Sequence, residues 1–283
     1  MEMLKNNDVW LITGCSSGLG RALAEETLKA GYRVVATARS ASTLSDLVSV
    51  YGDAVLAVDL DVTNAEQIAS AISAAEGHFG GIDVLVNNAG YGYFGAIEEG
   101  EEADVHAMFE TNVFGPWHMA KAALPGMRER EHGHVVNISS VGGMVTYPAV
   151  GFYHMAKFAV EGFSETLAKE VAPFGIGVTV VEPGAFRTEF RGTSVKQSNI
   201  RLPAYAETAG KARDNVFAAN GKQENDPVLG GRAIIRAIEA DNPPLHLVIG
   251  GDALDQIRKK LAVLNQELDT WEDLTRSTKF ADA

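Results

Sequence analysis

The chain has 283 residues, of which 46% are hydrophobic and 22% are charged, as is ordinary for a soluble globular protein with one large domain or two small ones. A formal net charge of −13 argues against an electrostatic nucleic-acid binder, and no apolar run approaches the ~20 residues of a membrane span. The single cysteine, Cys15, excludes an intrachain disulfide, and the N-terminus lacks the pattern of a signal peptide, so we expect a cytoplasmic protein.

Seven short runs rich in β-branched residues alternate with helical patterns. Most runs are continuously apolar, which is typical of strands buried on both faces of a parallel sheet. The sequence therefore predicts one α/β domain over residues 1–283, with a Rossmann-like, doubly wound parallel sheet of about seven strands. The predicted strands are Val9–Thr13, Arg33–Ala38, Ala54–Val62, Ile82–Asn88, Gly133–Ser139, Gly177–Pro183 and Leu245–Gly250.

Two helix starts carry capping signals. Thr63 with Glu66 predicts a capping box for a helix that begins near Asn64. Further along, Asp226 followed by Pro227 predicts an N-cap with proline at the first helical position.

Two segments depart from the strand–helix alternation. The segment 186–225 is a long insertion with weak periodicity, which we expect to be a mobile loop over the substrate. The segment 252–283 is charged and carries a helical pattern, so we expect a C-terminal helical extension.

The first predicted strand ends in a glycine-rich turn, TGCSSGLGRALA, that leads into an apolar helix. Glycine lets the backbone turn tightly and approach a ligand, and the helix N-terminus offers free N–H groups to a pyrophosphate. A turn that follows a strand, opens a helix and begins a parallel-sheet chain is typical of a dinucleotide site. The residues expected at the cofactor here are Gly14, Ser16, Ser17, Gly18, Leu19 and Gly20.

The third and fourth strands end at the same edge of the sheet, where open parallel sheets bind ligands. Asp61 and Val62 follow the third strand and are placed to contact an adenine ring. Asn88, Ala89 and Gly90 follow the fourth and would let the backbone approach a ribose. Ordinary turn chemistry is the alternative explanation for either group.

The second strand ends at Ala38, where dinucleotide sheets meet the adenosine ribose. An NAD enzyme needs a carboxylate there, whereas this chain has Arg39, whose guanidinium can pair with a 2′-phosphate. The nearest acids in sequence, Asp46 and Asp53, are too far along to take that position. The sequence therefore predicts NADP(H) rather than NAD(H), with an ordinary solvated arginine as the alternative.

A tyrosine precedes a lysine by four residues in GFYHMAKFAV, so Tyr153 and Lys157 share one face of a predicted helix. The fifth strand ends in NISSVGG, which places Ser139 and Ser140 at the same edge of the sheet. A pair of surface side chains and a strand-end hydroxyl that satisfies the backbone are the alternatives.

These motifs resemble the short, single-domain branch of the short-chain dehydrogenases/reductases, most closely its hydroxysteroid- and retinol-dehydrogenase-like members and bacterial ketoreductases. The resemblance covers roughly residues 9–190 in the family's order and spacing. The matching pieces are TGxxxGxG at Thr13–Gly20, NNAG at Asn87–Gly90, Asn112, Ser140, YxxxK at Tyr153–Lys157 and PGxxxT at Pro183–Thr188.

The resemblance implies that Asn112, Ser140, Tyr153 and Lys157 are catalytic. Tyr153 would give a proton to a carbonyl oxygen as hydride arrives from the nicotinamide, and Ser140 would stabilise the developing charge. Lys157, with the positive charge of an oxidised nicotinamide, would lower the pKa of the Tyr153 phenol and also hold the ribose hydroxyls. Ser139 stays open as the alternative to Ser140. Further cofactor residues implied are Tyr153, Lys157, Pro183, Gly184, Phe186 and Thr188.

A proline, Pro116, lies four residues after Asn112 inside the predicted helix ETNVFGPWHMAKAAL. Proline cannot donate to the carbonyl four residues back, so it would free the Asn112 carbonyl. In the family that carbonyl holds a water leading to the lysine. The hypothesis is that Pro116 enforces the kink; the alternative is that it only bends the helix around the sheet.

The expected function is NADP(H)-dependent hydride transfer between the nicotinamide and a small-molecule ketone, aldehyde or secondary alcohol. Apolar and aromatic side chains near the insertion favour an apolar or aromatic substrate. The expected pocket residues are Tyr91, Phe94, Met144, Tyr147, Phe190 and Leu202. We expect no metal site, since His118, His132, His134 and His154 show no metal-ligand spacing. His154 is expected to face away from Tyr153, toward solvent or an interface.

Two alternative functions predict other sequence features. A non-catalytic dinucleotide sensor that binds a partner would lose the acid–base residues, yet Ser140, Tyr153 and Lys157 are present. A sugar-nucleotide epimerase or dehydratase would need more than the roughly 60 residues after Asp226. No nucleic-acid or membrane partner is expected. The family implies a homodimer or homotetramer, through helices that start near Glu101 and Gly151.

Overall fold

The computed structural model of the chain describes residues 7–192 and 194–280. Its centre is a seven-stranded parallel sheet with the order β3-β2-β1-β4-β6-β7-β9, and β5 and β8 form a separate parallel pair. The strands are β1 (Val9–Ile12), β2 (Arg33–Ala38), β3 (Val55–Asp59), β4 (Val84–Asn87), β5 (Gly92–Phe94), β6 (Gly133–Ile138), β7 (Ile176–Pro183), β8 (Val195–Gln197) and β9 (His246–Ile249). The helices are α1 (Gly18–Lys29), α2 (Ser45–Tyr51), α3 (Ala65–Phe79), α4 (Glu102–Phe109), α5 (Gly115–Glu129), α6 (Gly151–Val171), α7 (Lys211–Ala218), α8 (Pro227–Ile238), α9 (Gly251–Thr270) and α10 (Glu272–Arg276).

Strand β1 shows why the strands are continuously apolar. Val9 and Leu11 pack into the hydrophobic cluster on one face of the sheet, and Trp10 and Ile12 pack into the cluster on the other. All four side chains are at most 1% exposed. Both faces of the sheet are therefore covered, which confirms the predicted doubly wound fold.

The strand order places a crevice at one edge of the sheet. Strand β1 pairs with β2 on one side and with β4 on the other. The strands that follow β1 therefore extend the sheet first on one side, through β2 and β3, and then on the other, from β4 onward. In a doubly wound sheet a ligand site lies beyond the carboxyl ends of the strands at this point. The turns after β1, β2, β3, β4, β6 and β7 all reach this edge.

The capping box predicted at Thr63 is wrong. Strand β3 ends at Asp59, earlier than predicted, because Asp61 turns the chain by accepting hydrogen bonds from the N–H and hydroxyl of Thr63 at 2.9 and 2.7 Å. The N-cap of α3 is Asn64 instead, whose side chain accepts from two backbone N–H groups of the first turn, that of Glu66 among them. The Thr63 hydroxyl is therefore unavailable to the helix.

The insertion is more regular than its sequence predicts, whereas the tail forms helices α9 and α10, in line with its helical pattern. Strand β8 and helix α7 lie within the insertion, and β8 pairs with β5 in a register that joins Gly92 to Val195. Three-residue strands are too short to leave an alternation in the sequence, so this pair was missed. Residues 1–6, 193 and 281–283, at the ends of the predicted domain and within the insertion and extension, lie outside the described residues.

In residues 7–192 and 194–280, no helix combines the length and the apolar composition that a bilayer crossing needs.

Helix α8 begins as predicted, since the Asp226 side chain accepts from the N–H of Val228 at 2.8 Å and Pro227 is the first helical residue. The helix packs against α1 at a glycine. A Cβ atom at Gly231 would lie 3.2 Å from the Cα of Leu23, so the missing side chain lets the two backbones approach closely.

Replacing this glycine tests the close helix packing. We expect Gly231→Ala to lower the free energy of unfolding by about 1–3 kcal/mol, because the added methyl group overpacks the contact with α1. The matched control is Gly77→Ala in α3, where an added Cβ meets no atom of the described residues within 4 Å. That variant should be more stable by about 0.5–1 kcal/mol. Urea unfolding followed by circular dichroism measures both, and equal effects would contradict the packing argument.

Candidate active site

A cleft of ≈ 1090 Å³ opens at the carboxyl edge of the sheet. It collects nearly all the residues that the sequence places at the cofactor, from six separate segments of the chain. Those that border it are Gly14, Ser16, Ser17, Gly18, Leu19, Arg39, Asp61, Val62, Asn88, Ala89, Gly90, Tyr153, Lys157, Pro183, Gly184, Phe186 and Thr188. Gly20 lies behind the cleft, where a Cβ atom would be 2.2 Å from Asn88 Nδ2 and 2.5 Å from the Gly14 carbonyl oxygen.

The glycine-rich turn forms a cradle for an anion. Gly14 and Gly18 have φ angles of +75° and +64°, a left-handed conformation that favours glycine. Ser17 is the N-cap of α1, but its side chain makes no capping hydrogen bond within the described residues. The N–H groups of the first turn therefore remain available, and the positive end of the helix dipole points into the cleft. These residues fit the pyrophosphate of a dinucleotide.

Two polar side chains tie the glycine turn to the end of β4. The Thr13 hydroxyl donates to the Val86 carbonyl at 3.2 Å and accepts from the N–H groups of Asn88 and Ala89, both at 2.9 Å. In return, Asn88 Nδ2 donates to the carbonyls of Thr13 and Gly14 at 2.8 and 3.2 Å. The Asn88 side chain thus positions the cofactor loop, a role that its place in NNAG did not predict.

Arg39 is exposed at the rim of the cleft. It forms no ion pair with any carboxylate in the described ranges, whereas Arg21 nearby is paired with Glu25 and with an acid of α2. The strand register places Asp59 beside Ala38, but the Asp59 carboxylate accepts from a backbone N–H at 2.6 Å and does not border the cleft. The guanidinium of Arg39 is therefore free to pair with an anionic ligand.

Tyr153 and Lys157 lie side by side at the inner end of the cleft, on the first turns of α6. Both are buried, and Lys157 Nζ is 5.5 Å from the centre of the Tyr153 ring. The ammonium also donates a 2.7 Å hydrogen bond to the carbonyl of Ile138 at the end of β6. This bond fixes the lysine between the sheet and the tyrosine ring.

Burial is the main cause of the shifted pKa values of Tyr153 and Lys157. It raises the pKa of Tyr153 to about 12, and a hydrogen bond with Ser140 offsets only part of that rise. Burial also lowers the pKa of Lys157 to about 8, against the attraction of the Glu161 carboxylate. The predicted lowering of the tyrosine pKa is therefore not produced by Lys157 alone. The protein's own groups keep the proton on Tyr153, which suits a proton donor.

The structure distinguishes the two serines at the end of β6. Ser140 lies next to the Tyr153 phenol, and its Oγ also accepts from the N–H of Gly142 at 3.0 Å. The Ser139 side chain is buried and lies next to the Glu161 carboxyl group instead. The geometry therefore favours Ser140 as the partner of the phenol, although Ser139, and not Ser140, borders the cleft.

Asn112 lies behind the cleft rather than on its wall. Its side chain accepts from the N–H of Tyr91 at 3.1 Å and donates to the carbonyl of the same residue at 2.8 Å. A π-helical turn, Glu110–Phe114, surrounds it, and the N–H of Gly115 donates to the Glu110 carbonyl. Pro116 follows this wider turn. A catalytic role for the Asn112 carbonyl stays a prediction.

The predicted pocket is partly wrong. Tyr91, Phe94, Tyr147 and Phe190 border the cleft, but Met144 and Leu202 do not. The N–H of Leu202 is bonded to a Glu99 carboxylate oxygen at 2.9 Å, which holds this part of the insertion against the α4 side of the molecule. Met144 follows the short helical turn Val141–Gly143 after β6 and does not border the cleft.

The prediction for His154 is also wrong. This side chain is only 4% exposed and borders the cleft beside Tyr153, with its ring centre 5.5 Å from that of Tyr147. The turn at Val141–Gly143 covers the helix face that the sequence left for solvent. Burial lowers the pKa of His154 to about 4, so the imidazole is neutral at physiological pH.

Residues from outside the recognised motifs complete the cleft. The sequence missed Val150, Val195, Val216, Asp252 and Gln256. Of these, Asp252 had a signal, since it directly follows β9 at the ligand-binding edge. Its carboxylate accepts from the N–H of Ala185 and from the Asn225 side chain, both at 2.8 Å, and so fixes the loop after β7.

Two groups of carboxylates and histidines lie close together although their members are far apart in sequence. They are Asp8, Asp83 and His132, and Glu161, Glu182 and His246. The second group lies directly behind Lys157, one helical turn along α6. Burial raises the pKa of Glu161 from 4.5 to about 7, with Ser139 offsetting part of the rise. Spacing along one segment could not predict either group.

The chain matches the family model described as short chain dehydrogenase over residues 8–199. It is 38% identical to the oxidoreductase BOA17 of Botryotinia fuckeliana (strain B05.10), over 94% of this chain and 97% of that protein. It is also 38% identical to human (Homo sapiens) retinol dehydrogenase 8, over 83% of this chain and 79% of that protein.

Solved structures show the same similarity to short-chain dehydrogenases. A short-chain dehydrogenase from Streptomyces avermitilis superposes with a TM-score of 0.91 at 45% identity, covering 97% of this chain and 100% of that one. A short-chain dehydrogenase/reductase from Burkholderia phymatum in complex with NAD has a TM-score of 0.81 at 25% identity, covering 93% and 95%. The structure of ElxO with NADP bound has a TM-score of 0.73 at 30% identity, covering 88% and 100%.

The buried Glu161 makes stability depend on pH. Its raised pKa means that the folded state binds the proton more tightly than the unfolded chain, so its contribution to stability falls as pH rises from about 4.5 to about 7. Buried His134 and His154, whose pKa values are lowered to about 4, act in the opposite direction. The variant Glu161→Gln removes this titratable group. Its free energy of unfolding, relative to that of the wild type, should therefore increase as the pH is raised from 5 to 8.

The measurement is urea unfolding at several pH values, with the wild-type curve subtracted. The control is Glu170→Gln, an exposed position on the same helix, which should leave the pH dependence unchanged. A pH-independent difference for Glu161→Gln would contradict the assignment.

Proposed function

The chain belongs to the short-chain dehydrogenase/reductase family, and we propose that within it the protein is an NADP(H)-dependent reductase of an apolar or aromatic ketone or aldehyde, or a dehydrogenase of the matching secondary alcohol. The observation that carries this proposal is the buried pair of Tyr153 and Lys157 at the inner end of a cleft bordered by the glycine-rich turn. Proton transfer and dinucleotide binding would thus take place in one cavity.

The nicotinamide supplies or accepts the hydride. In reduction, Tyr153 gives its phenolic proton to the carbonyl oxygen of the substrate, and Ser140 donates a hydrogen bond to the same oxygen. The high pKa of the buried phenol keeps this proton in place until the oxygen gains negative charge. Lys157 then stabilises the phenolate that remains, because its ammonium lies over the ring.

The proposed substrate class rests on the part of the cleft beyond Tyr153. Tyr91, Phe94, Val150, Phe190 and Val216 surround that space with aromatic and aliphatic surface. A hydrophobic carbonyl compound gains free energy by leaving water for such a pocket. The name of one relative, retinol dehydrogenase 8, is that of an enzyme with an apolar substrate and supports the same class.

We propose a cytoplasmic homodimer or homotetramer. Large apolar side chains are exposed on α5 and α6, including Trp117 at 44%, Met155 at 55% and Phe158 at 45%. Burying such side chains between copies would remove them from water. The buried, unpaired Cys15 fits a reducing compartment.

Removing the phenolic hydroxyl tests the proton donor. We expect Tyr153→Phe to bind NADPH as the wild type does but to lose ~10²–10⁴-fold in kcat, since general acid catalysis contributes that much. Turnover on a panel of ketones is followed by loss of NADPH absorbance, and binding by quenching of protein fluorescence. Tyr51→Phe, on α2 and outside the cleft, is the control. A variant that retains more than a tenth of the wild-type rate would refute the role.

Substitutions of Arg39 and Ala38 at the rim of the cleft test the preference for NADPH over NADH. We expect the wild type to prefer NADPH over NADH by roughly ten- to a hundredfold in kcat/KM, because a charge-assisted contact with a 2′-phosphate is worth ~1.5–3 kcal/mol. Arg39→Ala should weaken NADPH alone, and Ala38→Asp should invert the preference by repelling the phosphate. The control is Arg128→Ala, at the opposite edge of the sheet. Equal efficiency of the wild type with both cofactors would exclude the assignment.

A further inference from the structure

The last part of the chain leaves the body of the protein as an unsupported helix. Helix α9 packs on the body through its first two turns, where Ala253 and Ile257 are 0% and 6% exposed. From residue 258 to residue 280 every residue is exposed. We refer to residues 258–280 as the C-terminal arm.

The arm carries a regular apolar stripe. Large apolar residues recur along α9 and at its C-cap at alternating spacings of three and four, the heptad pattern of a two-stranded coiled coil. They are Leu254, Ile257, Leu261, Leu264, Leu268 and, at the C-cap, Trp271. Ile257 is buried and Leu254 is 38% exposed, whereas the four in the arm are 44%, 40%, 61% and 60% exposed.

Such a helix needs a partner to be stable. An isolated helix of this length is marginal in water, because propensity alone does not offset the cost of ordering the backbone. The charges of α9 destabilise the helix further. Its last turn has no basic residue and carries Glu267 and Asp269 at the negative end of the helix dipole. A neighbouring helix that covers the stripe and brings cations to this end would relieve both defects.

We propose that the partner is the arm of a second copy of this chain, packed antiparallel. The arm begins with three cations, Arg258, Lys259 and Lys260, whereas in its second half four acids outnumber the two cations Arg276 and Lys279. Pairing Leu264 with Leu268 of the second copy forms four apolar layers related by a two-fold axis. Each Arg258 then faces Glu272 of the other arm, a carboxylate that also pairs with Arg276 of its own chain at 2.6 Å.

The parallel arrangement is disfavoured by the same charges. In a parallel coiled coil with this heptad register, Glu267 of one arm faces Glu272 of the other, and the like charges repel on both sides of the pair. The three cations that begin each arm would also lie together at one end. The antiparallel pairing brings opposite charges together at both ends, at the cost of one Glu267–Glu267 contact near the axis.

The first experiment measures association. Two heptads bury less than the ~1,200 Å² of a standard interface, so the arm contact should be concentration-dependent. Sedimentation velocity of the full chain across a concentration series is compared with that of L264E/L268E. The double variant should raise the dissociation constant at least tenfold, or remove the largest species. The control V263S alters an exposed apolar residue of α9 that lies off the stripe and should sediment as the wild type does.

Unchanged association of L264E/L268E would overturn the proposal and show that the stripe is covered by something other than a second copy. Thermal unfolding of the variant verifies that the body is intact, which we expect because every residue of the arm is exposed. This readout is independent of the proposed oxidoreductase activity.

The second experiment determines the orientation. Cysteine is placed at Leu261 in one preparation, L261C, and at Trp271 in another, W271C, while the native Cys15 is buried and inert. An antiparallel pair cross-links efficiently only when the two preparations are mixed, because residue 261 faces residue 271 of the other arm. Cross-linking of L261C with itself at an equal rate would refute the antiparallel arrangement. Reversal of one charge, R258E, should weaken association, and R258E/E272R should restore it.

Discussion

Two side chains, Thr13 and Asn88, hold the glycine-rich turn against the end of β4, and the shape of the cleft depends on this contact. Each side chain satisfies backbone groups of the other segment that would otherwise be buried without partners. The approach is close enough that Gly20 has no space for a Cβ atom. The N-terminus of α1 is therefore aimed by hydrogen bonds from a neighbouring strand. Without them, fewer hydrogen bonds would fix the shape of the cleft.

The arrangement of Tyr153 and Lys157 also depends on a hydrogen bond between a side chain and the backbone of another segment. Lys157 could not lie over the Tyr153 ring on helix geometry alone, because a long side chain has many rotamers. Its hydrogen bond to the Ile138 carbonyl selects one of them and joins α6 to the sheet. Burial of an ammonium costs free energy, and that cost is visible in its lowered pKa. The protein thus stores an unfavourable arrangement at the inner end of the cleft.

How much of the fold and of the candidate site the sequence predicts depends on how far apart in the sequence the interacting residues are. Strand interiors and strand-end motifs were predicted correctly, because burial on both faces leaves continuous apolar runs and each motif lies within a few residues. The N-cap of α3 was misplaced by one residue because Asp61 competes for the Thr63 hydroxyl. The burial of His154 and the group around Glu161 were missed because each is decided by segments distant in sequence that only the tertiary fold brings together.

The pairing of β5 with β8 links the insertion to the segment that precedes α4. Further bonds extend this link, since Glu99 accepts from the Ser198 hydroxyl and from the Leu202 N–H, and Asn199 binds Glu101. The two segments form one structural unit, although roughly a hundred residues separate them along the chain. Recombination between relatives that exchanges the insertion alone would break this unit, so new substrate preferences are more accessible to chimaeras in which both segments are inherited from the same parent.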